Sequence, residues 1–125
     1  MMTVDSMNIK QGEIWLVEFF PKVGSEIAKQ RPAVIVSADE IGILPLKTVV
    51  PITEWSSQYS SYPWMIKIEN NIQNGLSKTS AVDCFQIKNF SHDRFINKIG
   101  QLDSDTIYKI HTTIAKTLNP LYRLE

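Results

Sequence analysis

The chain has 125 residues, enough for one domain with one core. Its 13 Lys and Arg balance its 13 Asp and Glu. Zero net charge weighs against a protein that coats long nucleic acid, but not against one that grips a short segment with a few local cations. One cysteine excludes an internal disulfide and suits a reducing cytoplasm, two histidines leave a zinc site almost without ligands, and no run approaches the ~20 apolar residues of a membrane span.

Residues 1–8 read as a loose extension without the basic start and apolar run of a signal peptide. A single domain over 9–119 follows, then a tail, 120–125. Glu13 to Phe19 is rich in β-formers and predicts a first strand, stopped by Pro21. Residues 20–31 form a polar loop. Pro32 to Ser37 is nearly continuous apolar, as in a strand buried on both faces. Lys47 to Thr53 is the next strand, and Pro51, without a backbone donor, predicts that it lies at an edge or bulges there. Trp64 to Ile68 alternates as a strand whose Trp64 packs inward, and Asn74-Gly75 signals a turn. Thr79 to Ile87 is the last clear strand.

Two helices are expected after it. Ser91 caps a short one ending at Gly100, with Phe95, Ile96 and Ile99 inward. The second starts at Asp103 or Ser104, and Ile107, Ile110, Ile114 and Leu118 make one apolar stripe. Asn119-Pro120 ends it. The fold class is mainly β (α+β): a small curled antiparallel sheet or barrel of five or so strands, with a short helix and a C-terminal helix packed on it.

The stretch from Gly24 to Ser37 carries the first chemical signal. Arg31 stands where a polar loop containing Ser25 and Glu26 enters an apolar strand, so the sheet can hold its guanidinium still. A planar, permanently charged fork is suited to gripping a phosphate. The plainer reading is a surface ion pair with Glu26 or Glu13. Trp55, Tyr59, Tyr62 and Trp64 lie among serines just after Thr53. Such interleaving suits base stacking in single-stranded RNA, with Trp55 and Tyr59 the better-placed rings. Lys22, Lys29 and Lys47 can extend the cationic surface around Arg31. His92 and His111 read as solvated or core-edge residues.

In order and spacing, Gly12-Glu13-Ile14-Trp15-Leu16-Val17, Pro21, Gly24-Ser25-Glu26, Arg31-Pro32 before Val34-Ile35-Val36, Val49-Val50-Pro51-Ile52-Thr53, Gly75-Leu76, Gln86-Ile87-Lys88 and a terminal helix resemble the MazF/PemK family of toxin ribonucleases. The resemblance covers the chain from Gly12 to about Leu118. It implies a small SH3-like barrel with helices and a homodimer. It also implies cleavage of single-stranded RNA at short sequences without metal or cofactor, and inhibition by a cognate, MazE-like antitoxin. No membrane partner is implied.

By the same resemblance, Arg31 and Thr53 are the residues most tied to catalysis. Glu26 and Asp83 are the two candidates for moving a proton. Ser25, Lys29, Gln30, Lys22 and Gln86 join Trp55 and Tyr59 as RNA-binding candidates. The chain departs from its relatives at Ser25, where some carry a histidine, and at Phe85, where others carry an acidic residue. Two other readings use the same fold: a non-catalytic toxin of the topoisomerase-poisoning type, and a weakly active relative that retains an antitoxin partner.

Overall fold

A computed structural model describes residues 8–20, 29–41 and 45–124. Seven strands and one helix follow in chain order: β1 (Glu13–Phe20), β2 (Lys29–Ile35), β3 (Leu46–Glu54), β4 (Met65–Ile68), β5 (Ser80–Asp83), β6 (Lys88–Ser91), β7 (Phe95–Gln101) and α1 (Ser104–Leu118). Short 3-10 turns occupy Ser57–Ser61 and His92–Arg94.

The strands form one antiparallel sheet in the order β4-β5-β3-β2-β1-β7, with β6 also on β3. The class is the expected one, mainly β with a C-terminal helix. The sheet is open: among the described residues β4 and β7 are its two ends and do not pair.

Alternation along the strands gives the sheet two apolar faces. Ile14, Val34, Val50, Ile52 and Val82 point to one side, where Ile66, Ile68, Leu102 and Ile110 complete a buried cluster. Trp15, Val17, Ala33, Ile35 and Val49 point to the other, with Ile9, Phe19, Phe90 and Phe95. Helix α1 covers the first face. Asp103 caps it by accepting the Thr106 N–H at 2.7 Å, Ile110 is fully buried, and Ile107 and Ile114 pack beside it. Burying one such isoleucine is worth about 2–3 kcal/mol. The expected stripe is one residue too long, because Leu118 lies beyond the sheet and is 75% exposed.

Three other expectations change. The helix expected over 91–100 is absent; Phe95–Gln101 is instead strand β7, paired with β1. Gly100 faces Ile14 and Lys98 faces Trp15, so Ile99 is an extra residue; Asn97 faces Leu16 and Phe95 faces Val17, so Ile96 is another. These two bulges break the period of two and leave apolar residues at helix-like spacing.

The strand expected over 79–87 stops at Asp83. The chain turns at Cys84-Phe85 and continues as β6 along the first half of β3.

Finally, β3 is neither an edge strand nor bulged at Pro51. Val36 N–H bonds the Thr48 carbonyl, so by alternation Val34 and Val50 are a hydrogen-bonded pair and Pro51 turns its nitrogen away from β2. On that other side β6 ends opposite Val49 and β5 begins opposite Ile52. Proline sits where the partner changes, and no ladder bond is lost.

Candidate active site

Register places the candidate residues. Ala33 faces Pro51, Val34 faces Val50 and Ile35 faces Val49. The same register carried two residues further sets Arg31 opposite Thr53. Pro32 explains why the ladder stops before them: the next hydrogen-bonded pair would need its missing N–H. Thr53 in turn faces Ala81, and Ala81 faces Lys67 of β4. Val17, Arg31, Thr53, Ala81 and Lys67 thus form one transverse row on one face of the sheet.

Arg31 and Thr53 are both half-buried. The ion-pair alternative for Arg31 does not hold with Glu13. That carboxylate accepts Lys10 N–H at 2.9 Å and Trp15 Nε1–H at 3.0 Å through Oε1, and pairs with Lys98 Nζ at 3.0 Å through Oε2. Among the described residues Arg31 has no acidic partner. Glu26, Ser25 and Lys22 lie outside the described residues.

Asp83 is on the same face as Thr53. In the β3–β5 register Thr53 faces Ala81, so Asp83 is its diagonal neighbour. Its Oδ1 accepts the Phe85 N–H at 3.1 Å and its Oδ2 accepts from Gln86 Nε2 at 2.8 Å. Two candidates are thereby joined, and the carboxylate keeps lone pairs free for a further donor. The next residue, Cys84, is fully buried; desolvation first, and the Asp83 charge second, push its thiol up to about 12. It stays a neutral packing group.

Trp55 and Tyr59 meet edge to face, with centroids 5.9 Å apart. The run continues from Tyr59 to Tyr62 at 5.8 Å, to Trp64 stacked at 5.0 Å, and to Phe85 at 6.2 Å. Trp64 therefore belongs to this outer aromatic run and to neither core cluster. With Pro63, Phe85 and the α1 residues Thr113 and Thr117 it lines a cavity of about 380 Å³ that includes neither Arg31 nor Thr53.

Some candidates separate from the site. Lys29 shares the Arg31 end of β2, but Gln30 pairs with Glu18 and points to the opposite face. Lys47 is buried opposite Phe90, six residues from Thr53 along β3, or roughly 20 Å. It does not extend the cationic surface. His111 is a core-edge residue whose Nε2 donates to the Val36 carbonyl at 2.9 Å, tying α1 to the sheet.

Two cations were not singled out by sequence. Lys67 places its Nζ 5.2 Å from the Trp55 ring centroid. Arg94 donates from Nε to the Glu18 carbonyl at 2.8 Å and from Nη2 to the Phe19 carbonyl at 2.9 Å, and stacks on Phe90 at 4.6 Å. It fixes the end of β1. Only strand pairing reveals either role.

The chain is 30% identical over 115 residues to the endoribonuclease MazF9 of Mycobacterium tuberculosis, covering 82% of this chain and 95% of that protein. It is 27% identical over 114 residues to the endoribonuclease EndoA of Bacillus subtilis, covering 90% and 96%. Its fold matches a mycobacterial endoribonuclease solved in complex with its cognate antitoxin, with TM-score 0.69, 17% identity and coverage of 91% and 98%. A family model for the PemK-like, MazF-like toxin of type II toxin–antitoxin systems matches residues 10–118. With nearly its whole length matched, and with the strand order that sets Arg31 against Thr53, the chain belongs to the PemK-like, MazF-like toxin family.

Proposed function

We propose that this chain is the toxin of a type II toxin–antitoxin pair and an endoribonuclease that cuts single-stranded RNA, with Arg31 and Thr53 at the scissile phosphate. The strand register that brings a guanidinium and a hydroxyl together on one face carries the reading. In the proposed reaction the RNA's own 2′-hydroxyl attacks the adjacent phosphorus and the 5′-oxygen leaves. The products are a 2′,3′-cyclic phosphate and a 5′-hydroxyl end. No metal is required by this chemistry.

The pentavalent transition state gains negative charge on its non-bridging oxygens. Arg31 supplies two parallel donors to them and stays charged throughout. The Thr53 hydroxyl donates to a phosphate oxygen or orients the 2′-hydroxyl. The proton of the nucleophile goes to Asp83 or to Glu26, and the departing 5′-oxygen takes a proton from water. Asp83 is supported by its place diagonal to Thr53 and its free acceptor capacity. Trp55 and Tyr59 offer rings to neighbouring bases, and Lys29 offers a charge to the backbone.

The partners in this reading are single-stranded RNA, a MazE-like antitoxin that covers the same face, and a second copy of the chain. Its place of action is the cytoplasm, where the RNA is.

The test is incubation of the purified protein with mixed-sequence RNA in EDTA, beside Arg31→Ala and Thr53→Ala. Cuts at a short recurrent sequence, ending in cyclic phosphate and lost in both variants, support the reading. Intact RNA, or cleavage that needs magnesium, overturns it.

A further inference from the structure

We propose that Lys67, seated on the face of Trp55, is a second phosphate-binding residue of this site and holds an RNA phosphate next to the scissile one. The proposal rests on the RNA-cleaving reading of the Arg31 and Thr53 face.

Lys67 reaches that face through two registers. It faces Ala81 across β4 and β5, and Ala81 faces Thr53 across β5 and β3. Ile66 and Ile68, on either side of it, point into the core, so Lys67 points the other way and is exposed. The intervening Ala81 has no side chain beyond Cβ to obstruct the row.

The charge of Lys67 is not spent on a carboxylate. Among the described residues its neighbours are otherwise engaged: Glu54 pairs with Lys78 at 3.3 Å, and Glu69 accepts from Thr79 Oγ1 at 2.7 Å. The ammonium instead lies over the Trp55 ring at 5.2 Å. An indole face holds a cation in place without neutralising it, so the charge remains available to an anion. The neighbouring aromatic ring of Tyr59 then provides a stacking surface beside the charge.

Position makes this phosphate a different one from that held by Arg31. Three strand intervals separate the two Cα atoms, roughly 14 Å. Trp55 lies past Thr53 along the chain, whereas Asp83 faces the Pro51 side of the row. The Trp55 contact therefore draws the Lys67 ammonium to the side of the row opposite Asp83. Held in ground and transition states alike, such a contact strengthens binding without speeding the chemical step.

The test uses full-length protein and a short RNA containing its cleavage sequence. Binding is measured on the 2′-O-methyl version, which cannot be cut, over a series of salt concentrations. Lys67→Gln is expected to flatten the slope of log K against log salt by about 0.7, the value for one contact to a single-stranded phosphate. On the cleavable RNA it should raise KM several-fold with kcat unchanged. Lys67→Arg should restore both, and Lys10→Gln, at the exposed residue three positions before β1, should alter neither. An unchanged slope and KM in Lys67→Gln, while the parent binds and cleaves, overturns the Lys67 assignment alone. A parent protein that neither binds nor cleaves RNA overturns the reading of the whole face.

Discussion

The β2–β3 register, extended two residues past its last pair Ala33 and Pro51, brings Arg31 and Thr53 opposite each other, with Pro32 next to Arg31 and Pro51 two residues before Thr53. Each proline withholds a backbone donor just where a ladder stops or changes partner. Both residues sit on strands, and Arg31 has no acidic partner among the described residues. Its role and its stability contribution should therefore separate. Arg31→Ala is expected to lower kcat/KM about a hundredfold, or roughly 3 kcal/mol, while shifting unfolding free energy by less than about 0.5 kcal/mol. Arg31→Lys should recover only part of the rate, because a point charge does not reproduce the bidentate fork. Initial rates on a short RNA and urea denaturation measure the two effects.

Asp83 can be a proton acceptor or merely a holder of Gln86, and substitution distinguishes these. Asp83→Asn keeps an oxygen for the Phe85 N–H, now bonded at 3.1 Å, so the turn survives. If Asp83 takes the proton, kcat falls by about 10²- to 10⁴-fold. Gln86→Ala then changes KM more than kcat. Equal, modest losses in both variants would assign the proton to another group, with Glu26 the next to test.

Local pattern disclosed some of this and long-range pairing the rest. The terminal helix was legible because Ile107, Ile110 and Ile114 repeat at the helical period behind a capping Asp103. The β7 strand was not, because its two bulges place Ile96 and Ile99 out of alternation. Pro51 suggested an edge because a single strand's sequence cannot show that β6 and β5 share one of its sides. In the site, Arg31 and Thr53 stood out through the ordered motifs around them. Lys67 did not: an exposed lysine in an alternating strand is unremarkable until two registers bring it into line with Thr53. Arg94 was hidden for the same reason, since its acceptors are 75 and 76 residues away.

Two glycines hold the turn that backs β7. A Cβ on Gly100 would lie 2.2 Å from the Asn74 carbonyl oxygen and 2.3 Å from its carbon. A Cβ on Gly75 would lie 2.2 Å from the Ile99 carbonyl oxygen, and its φ of +68° is left-handed. Buried Asn74 is itself a hub, accepting the Asn71 and Leu76 N–H groups and donating to the Glu69 carbonyl, each at 3.0 Å. Gly100→Ala and Gly75→Ala are each expected to cost about 3 kcal/mol or more, because backbone, not a flexible side chain, must yield. Chemical denaturation should show this, and an exposed Ser104→Ala should be near neutral beside them.

Glu13 makes stability depend on pH in a definite direction. Burial alone would raise its pKa, but the hydrogen bonds from Trp15, the Lys10 N–H and Lys98, with the Lys98 charge, outweigh that and hold it below 4.5. A carboxylate whose folded pKa is depressed binds protons more readily when unfolded, so stability rises with pH across that interval. The Glu13 contribution is therefore fully present above 4.5 and lost as pH falls through the lower folded value. Glu13→Gln keeps one oxygen to accept from both Lys10 and Trp15 but loses the ion pair with Lys98. At pH 7 it is expected to cost about 1–2 kcal/mol. The difference between the two proteins should shrink as pH is lowered from 4.5 and vanish once the parent carboxyl is protonated in both states. Urea denaturation of parent and variant at a series of pH values measures it, and a gap that stays constant down to the acid limit would remove Glu13 as the source.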